Sequence, residues 1–205
     1  MKIQGVLISF EGIDCAGKTT IIDALPRLLT DCKVPIVTCG ERRSPLKNLL
    51  QGERLKDLSP LLKTYLFASD RAWSYEKECL PALRDGKCVL WDRYVASAIA
   101  YRSADLTTYP DLGFDLNFVR DINKPFRKPD LGIYIDINVK TSIERANAEG
   151  RANYYTAGFL ERVREKYFDI VSEEGYISID GDRGLSEVTR DIASTIRMHL
   201  PNLFA

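Results

Sequence analysis

Residues 6–20 read VLISFEGIDCAGKTT, and this stretch decides the fold. Residues 6–10 form an apolar run, which is typical of a strand buried on both faces of a parallel sheet. A glycine-rich turn follows, and a helical pattern extends from residue 18 to about residue 29. A buried strand, a glycine-rich turn and a helix in this order predict a phosphate-binding loop at the carboxyl end of a strand.

The turn fits G-x-x-x-x-G-K-[ST] at each fixed position, which Gly12, Gly17, Lys18 and Thr19 occupy. Glycines let the backbone curl so that successive N–H groups point at phosphate oxygens. Lys18 is expected to reach the β and γ phosphates of ATP, and the Thr19 hydroxyl to hold Mg²⁺. A chance turn is the alternative, but the strand before it and the helix after it favour the phosphate loop. The predicted ATP-binding residues of this segment are Gly12, Ile13, Asp14, Cys15, Ala16, Gly17, Lys18, Thr19 and Thr20.

The same alternation of strands and helices continues along the chain. Further strands are predicted at residues 34–38, 88–91, 131–137 and 176–179, and further helices at 60–84, 139–148, 157–172 and 186–200. Strands alternating with helices indicate a parallel sheet covered on both faces. We therefore predict an α/β fold of the P-loop NTPase class, a three-layer sandwich whose five-stranded parallel sheet is flanked by helices. We expect residues 1–205 to form a single domain with a short lid.

Composition excludes several classes of function. The chain has 29 Lys and Arg residues against 29 Asp and Glu residues, which argues against a general nucleic-acid or membrane binder. Its five cysteines are widely spaced without a CxxC pair, as expected for reduced thiols in the cytoplasm. Because His199 is the single histidine, the chain has almost none of the residues that a zinc site or a Ser–His triad requires. An N-K-x-D motif, which a GTPase would need to read its base, is absent.

Four segments resemble the thymidylate kinases. They are FEGID at residues 10–14, LFASDR at 66–71, DRYVASAIAY at 92–101, and PDL at 129–131 before a strand. The resemblance covers nearly the whole chain in the same order and spacing. It implies an enzyme that moves the γ-phosphoryl group of ATP onto dTMP with Mg²⁺, giving dTDP for dTTP synthesis. It also implies small-molecule substrates and a homodimer formed through helices beside the acceptor site, and the cysteine pattern favours a cytoplasmic location.

Asp92 and Arg93 follow a buried strand, at the edge where open sheets bind ligands. Asp92 can orient Mg²⁺ or its waters. Arg93 can neutralise the acceptor phosphate and the charge on the transferred group. A structural ion pair between the two residues is the alternative.

Phe67 and Arg71 are four residues apart and therefore share one face of the predicted helix. The ring can stack on a base, and the guanidinium group can then bind the base edge, as the corresponding arginine binds thymine in the family. The alternative is a core phenylalanine beside a solvated arginine.

The resemblance assigns further residues to the acceptor. Arg42, in the segment ERRS at residues 41–44, corresponds to the arginine that binds the acceptor phosphate, and Arg43 could take this role instead. Asp14 resembles the carboxylate near the acceptor's sugar and phosphate. The family carries an aromatic ring against the sugar at the position of Tyr101.

Ser97 matches a position that lines the base pocket in the family. Tyr154 resembles a tyrosine of the lid that closes over the nucleoside, with Tyr155 as the alternative.

Phosphoryl transfer needs cations around the moving group and protection from water, which small kinases obtain from a mobile lid. The predicted lid spans residues 144–156. Arg145 resembles the arginine beside the adenine, and Arg151 could reach the phosphates, although both could also lie at a solvated helix end. One branch of the family places a basic residue where Cys15 stands, and the other supplies an arginine from the lid. Our hypothesis is that Arg151 takes the catalytic role, together with Lys18, Arg93 and Asp14.

Two other functions stay open at this point. One is a kinase for a deoxynucleoside, dUMP or another monophosphate, although Arg42 and Arg93 favour an acceptor that already carries phosphate. The other is a nucleotide-binding regulatory module with little catalysis, which the uncharged Cys15 keeps in consideration.

Overall fold

Strands and helices alternate along the chain, as the sequence pattern predicts. The computed structural model describes residues 5–40, 58–108, 111, 114–150 and 155–204. Its strands are β1 (Val6–Glu11), β2 (Ile36–Gly40), β3 (Cys88–Asp92), β4 (Leu131–Asp136) and β5 (Ile177–Asp180). Its helices are α1 (Lys18–Leu28), α2 (Pro60–Ser74), α3 (Leu80–Arg84), α4 (Val95–Thr108), α5 (Leu116–Asn123), α6 (Val139–Ala148), α7 (Ala157–Glu174) and α8 (Leu185–His199).

The five strands form one sheet in the order β2-β3-β1-β4-β5. Every neighbouring pair is parallel. The strand that precedes the phosphate loop, β1, is therefore central, and the carboxyl ends of all strands lie at one edge of the sheet. This architecture confirms the predicted α/β fold with a five-stranded parallel sheet flanked by helices.

Both faces of the sheet are buried. Successive residues of β1 enter two separate apolar clusters, since Leu7 packs with Trp91 while Ile8 and Phe10 pack with the larger cluster. All five residues of β3 are buried. Burying one large apolar side chain contributes about 1.5–3 kcal/mol, so this core fixes the strand ends that carry the site.

Two predicted elements, a strand and a helix, differ from the structure next to a proline. Strand β2 begins at Ile36 rather than at residue 34, directly after Pro35, whose carbonyl accepts from the Cys88 N–H at 3.0 Å. The predicted helix over 60–84 contains a π-helical segment, Tyr75–Cys79, between α2 and α3. Pro81 follows this segment and cannot donate a backbone hydrogen bond, which favours a local change of the helical pattern.

Helices α4 and α5 have no counterpart among the predicted helices. The α4 segment is buried almost all round, including the charged residues Arg102 and Asp105, so it lacks the polar stripe that marks a surface helix. Helix α5 has eight residues, and its main local signal is Asp115, which accepts from the Phe118 N–H as an N-cap.

Within the described ranges, none of the helices is both long and apolar enough to cross a membrane.

Candidate active site

The loop between β1 and α1 has the backbone shape that its glycines predict. Gly12 has φ 146° and Gly17 has φ 84°, both in the region that favours glycine. A Cβ atom on Gly12 would lie 2.5 Å from the carbonyl oxygen of Ile135, so a side chain there would collide with β4. Cys15 also has a left-handed backbone, with φ 57°, although it carries a side chain.

Lys18 and Thr19 stand at the first turn of α1, facing the loop and β3. The Lys18 side chain is buried, and its Nζ donates to the carbonyl oxygens of Gly12 at 3.0 Å and Ile13 at 2.7 Å. The Thr19 hydroxyl donates to Oδ2 of Asp92 at 2.5 Å. The other oxygen of Asp92, Oδ1, is buried and has no hydrogen-bond partner among the described residues.

Arg93 links the phosphate loop to α4. Its backbone has φ 60°, and its guanidinium group turns back toward β1. Nη1 donates to the Gly12 carbonyl at 3.2 Å and to the Tyr101 hydroxyl at 3.3 Å, and Nη2 forms an ion pair with Asp14. The guanidinium carbon lies 5.3 Å from the centre of the Tyr101 ring. The structure thus brings together three residues that the sequence predicts for the acceptor.

The far end of the site contains Phe67 and Arg71 on α2. Arg71 is 6% exposed, so the alternative of a solvated arginine is wrong. Its Nη1 donates to Oδ1 of Asn123 on α5 at 2.7 Å, and its guanidinium carbon lies 5.7 Å from the Phe126 ring centre. Asn123 in turn donates to the Val119 carbonyl at 2.7 Å, which fixes the orientation of its amide.

A buried carboxyl group lies where β1 enters the loop. Glu11 is fully buried and accepts from the backbone N–H groups of Tyr94 and Ser97 at 3.1 Å each, and from the Ser97 hydroxyl. The Ser97 hydroxyl also lies 2.8 Å from the hydroxyl of Tyr167 on α7. Burial raises the pKa of Glu11 to about 7, although the hydrogen bonds from Ser97 and Tyr94 and the charge of Arg93 oppose this shift.

The opposite side of the loop contacts α6. Arg145 donates to the carbonyl oxygens of Cys15 at 3.2 Å and Gly181 at 2.9 Å, so it is not a solvated helix end. The Ser142 hydroxyl donates to the Asp14 carbonyl at 2.8 Å. Helix α6 therefore supports the loop from outside the phosphate-binding face.

One cavity of about 630 Å³ joins these features. The residues predicted for the site that line it are Asp14, Cys15, Ala16, Gly17, Lys18, Thr19, Thr20, Phe67, Arg71, Asp92, Arg93, Ser97, Tyr101 and Arg145. Gly12 and Ile13, which belong to the same loop, are buried. The predicted residues Arg42, Arg151 and Tyr154, and the alternative Arg43, lie outside the described residues.

Tyr155, the alternative to Tyr154, lines the cavity. Its ring stacks on Phe159 with centroids 4.7 Å apart and meets the Tyr101 ring edge-on at 5.4 Å.

Four residues of the site received no role from the sequence: Glu11, Asn123, Ser142 and Tyr167. Glu11 lies inside the quoted motif FEGID, but a glutamate beside a phosphate loop has no fixed chemistry until its partners are known. Asn123 lies on α5, a helix that was not predicted. Ser142 and Tyr167 lie on predicted helices, where nothing in the local pattern separates them from packing residues.

A phosphate loop on the central parallel strand, with a cavity that continues past an arginine to a second apolar end, defines the class of P-loop nucleotide phosphotransferases. The thymidylate kinase family model matches residues 10–192. The chain belongs to the thymidylate kinase family.

Similar proteins match over nearly their full lengths. A probable thymidylate kinase of Pyrobaculum aerophilum is 35% identical over 195 residues, which cover 93% of this chain and 95% of that protein. The thymidylate kinase of Leptospira borgpetersenii is 35% identical, covering 93% of each chain. That of Thermoanaerobacter pseudethanolicus is 33% identical, covering 97% of this chain and 100% of the relative.

Proposed function

We propose that this enzyme transfers the γ-phosphoryl group of ATP to the phosphate of dTMP, forming dTDP and ADP for dTTP synthesis. An oxygen of the dTMP phosphate attacks the γ phosphorus, and the bond from that phosphorus to the β–γ bridging oxygen breaks. The observation that carries the proposal is the single cavity that joins Lys18 to Arg93 and continues to Phe67 and Arg71. In this proposal the cavity binds the donor phosphates beside Lys18, the acceptor phosphate beside Arg93 and the base beside Phe67.

In this proposal the loop holds the donor. Backbone N–H groups of the loop and the N-terminus of α1 bind the β and γ phosphates, because they present partial positive charge. The Lys18 ammonium, which now contacts the carbonyl oxygens of Gly12 and Ile13, moves a short distance to the phosphates. In this proposal Arg145 and two further residues that line the cavity, Leu185 and Val188, bind the adenine.

Arg93 is the central cation of the acceptor side. It exchanges part of its bonding to Asp14 and Gly12 for the acceptor phosphate, and its charge then offsets the charge that builds up on the transferred group. Arg42 is the proposed second cation for that phosphate. No general base is required, because the attacking oxygen belongs to an already ionised phosphate.

The nucleoside occupies the far end. Phe67 stacks on the thymine, and Arg71, fixed by Asn123, binds its edge. Tyr101 packs on the deoxyribose, with Asp14 nearby. Ser97 lines the cavity, but its hydroxyl already bonds Glu11 and Tyr167, so it contributes mainly shape to the base pocket. Tyr154, or Tyr155 in its place, closes over the nucleoside.

Thr19 and Asp92 fit a divalent cation. Their hydroxyl and carboxylate oxygens lie together, and one buried oxygen of Asp92 has no partner among the described residues. Oxygen ligands are those that Mg²⁺ prefers, and Mg²⁺ is commonly held by one or two protein oxygens together with substrate phosphates. No group of three or more His, Cys, Asp or Glu side chains in the described parts of the chain could hold a metal ion. When bound, Mg²⁺ would neutralise charge on the β and γ phosphates.

We also propose that residues 1–205 are a single domain whose lid spans about 144–156, and that Arg151 supplies the charge that Cys15 lacks. Replacing Arg151 with alanine is expected to lower kcat at least tenfold, because a cation beside the transferred group acts only in the transition state. A loss of turnover below about threefold, or roughly 0.7 kcal/mol, would remove Arg151 from the mechanism.

A homodimer is proposed through α2. Leu61, Leu62 and Tyr65 are 37%, 44% and 51% exposed on this helix, which lies beside the acceptor end of the cavity. Sedimentation of the purified protein, with Tyr65→Glu as the variant, tests it. A cytoplasmic location is proposed because none of the five cysteines forms a disulfide bond.

Coupled ADP release tests the proposed activity. The purified enzyme is supplied with ATP and either dTMP, dUMP, dCMP, thymidine or no acceptor, with and without Mg²⁺. We expect rapid ADP release that requires both dTMP and Mg²⁺. Equal ADP release with and without dTMP would contradict the proposal, and faster release with thymidine would identify a nucleoside kinase.

A further inference from the structure

The fully buried Glu11 needs a physical explanation, because burying a carboxyl group is costly unless its oxygens are hydrogen-bonded. Its Oε1 accepts from the Tyr94 N–H, and its Oε2 accepts from both the N–H and the hydroxyl of Ser97. Two of these three donors are backbone groups at the start of α4. The carboxyl group thus joins the last residue of β1 to the first turn of the helix that follows Arg93.

Helix α4 depends on this contact. The first N–H groups of a helix have no partners within it and are commonly capped by Ser, Thr, Asp or Asn. Tyr94, which precedes the first residue of α4, cannot provide such a cap. Glu11 takes this role from a different element of the fold. It therefore fixes the residue immediately after Arg93, whose own backbone is held at φ 60°.

Tyr167 extends the contact to a third element. Its ring is fully buried on α7, and its hydroxyl lies 2.8 Å from Ser97 Oγ and donates to the Gly12 carbonyl at 3.4 Å. The same carbonyl oxygen accepts from Arg93 and from Lys18. The phosphate loop, the start of α4 and α7 are thus joined by one buried hydrogen-bonded chain.

We infer that Glu11 is a positioning residue, which acts through the first turn of α4 to aim the Arg93 guanidinium group at the phosphate being transferred. Tyr167 holds the same turn from α7. The inference rests on the proposed function, since it assumes that Arg93 acts on the acceptor side of a phosphoryl transfer. A misplacement of about 1 Å at such a group can cost on the order of a hundredfold in rate.

The chain offers a matched control at the other end of the sheet. Asp130 also accepts from a backbone N–H of β1, that of Leu7 at 2.8 Å, and it bonds the Arg127 guanidinium at 2.5 Å. It lies far from the cavity, at the amino edge of the strands. Asp130→Asn therefore removes a carboxylate contact to β1 without touching the site, although the Asp130 side chain is 30% exposed and Glu11 is fully buried.

The experiment compares Glu11→Gln, Tyr167→Phe and Asp130→Asn in steady-state assays and thermal unfolding. In Glu11→Gln, one amide NH₂ must face a backbone N–H in either orientation, so the turn shifts. We expect kcat to fall about tenfold or more while KM for ATP stays within about twofold. Tyr167→Phe should lower kcat about threefold. Asp130→Asn should lower Tm but leave kcat within about twofold.

A double variant shows whether Glu11 acts through Arg93. If it does, adding Glu11→Gln to Arg93→Ala should change kcat by less than about twofold, since the group being positioned is already missing. Two outcomes would overturn the inference: kcat of Glu11→Gln within about twofold of the unmodified enzyme, or a full tenfold loss on the Arg93→Ala background. Should Glu11→Gln be insoluble, Ser97→Ala and Tyr167→Phe are tested in the same double variants.

The failure of the inference is distinguishable from the failure of the proposed function. If the unmodified enzyme shows no ADP release that depends on dTMP, the function is wrong. If it shows this activity and Glu11→Gln keeps it, only the positioning role is wrong.

Discussion

The two edges of the sheet hold their polar groups differently. At the amino edge, the Asp130 carboxylate bonds Leu7 and Arg127, and Arg127 also donates to the Gly5 carbonyl at 3.1 Å. At the carboxyl edge, one oxygen of Asp92 has no partner among the described residues. The difference teaches that one edge is built for stability, whereas the other keeps polar groups available for a ligand.

Backbone conformation follows the same division. Cys15 and Arg93 are the residues other than glycine with positive φ in the described part of the chain, and both lie at the carboxyl edge. Such conformations cost of order 1 kcal/mol or more and persist only where the surroundings impose them. Among the described residues, such strain occurs at this edge and not at the other, as expected for a functional site at one end of the sheet.

The largest effect is expected when one lysine at each edge is replaced with alanine and the two variants are compared. Lys18→Ala should lower kcat/KM on the order of a thousandfold, because it removes a buried cation from the phosphates. Lys128→Ala, at an exposed position near the amino edge, should leave kcat/KM within about twofold. Steady-state kinetics with dTMP and ATP measure both. Similar losses in the two variants would abolish the functional distinction between the edges.

Arginines give a second comparison. Arg93→Ala should lower kcat about a hundredfold, or roughly 2.7 kcal/mol, with little loss of stability. Arg127→Ala should do the reverse, lowering the free energy of unfolding by about 1 kcal/mol because its ion pair is partly exposed. Chemical denaturation and initial rates distinguish the two effects. A strongly reduced kcat in Arg127→Ala would show that the amino edge also shapes the site.

A smaller effect is expected for a change beside Arg71, at the end of the cavity that binds the nucleoside in our proposal. Asn123→Ala frees the Arg71 guanidinium to change its orientation, so KM for dTMP should rise about five- to tenfold, with KM for ATP unchanged. Asn117→Ala, at an exposed position on the same helix, is the control. An unchanged KM for dTMP in Asn123→Ala would mean that Arg71 is held mainly by its packing on Phe126.

The last comparison concerns the dependence of stability on pH rather than a reaction rate. Burial raises the pKa of Glu11 from an ordinary value of 4.5 to about 7, so between these values the folded protein binds more protons than the unfolded chain. Stability from this group is therefore lost as the pH rises from about 4.5 to about 7, by roughly 1–3 kcal/mol. The charged groups that oppose the shift are Arg93 and Arg71, and Tyr167 faces the carboxyl group from α7.

Urea denaturation between pH 5 and pH 8 measures this effect. The unmodified protein should lose stability relative to Glu11→Gln across that range, since the glutamine cannot titrate. Parallel curves for the two proteins would show that Glu11 keeps an ordinary pKa.

The sequence predicts the sheet and the phosphate loop because each is encoded locally. The β1 run and the glycine spacing after it determine the loop without reference to distant residues. Asp92 and Arg93 are likewise predictable, as residues that follow a buried strand reach the ligand edge.

The partners of those residues were not predictable, because they come from distant parts of the chain. Arg71 meets Asn123 across 52 residues, and Ser97 meets Tyr167 across 70 residues. Neither pair leaves a periodic signal in the sequence. Asn123, one of these four residues, also lies on α5, which is too short to be predicted. Local patterns give the positions of single functional groups, whereas the hydrogen bonds that orient them depend on tertiary packing.

The left-handed backbone of Arg93 has a consequence for evolution. Glycine would adopt this backbone conformation without penalty, but it carries no charge. Stability therefore favours glycine at this position, whereas phosphoryl transfer requires arginine. Replacing Arg93 with glycine would therefore give a more stable but inactive protein. The arginine at this position therefore indicates that the chemistry outweighs the conformational cost of the left-handed backbone.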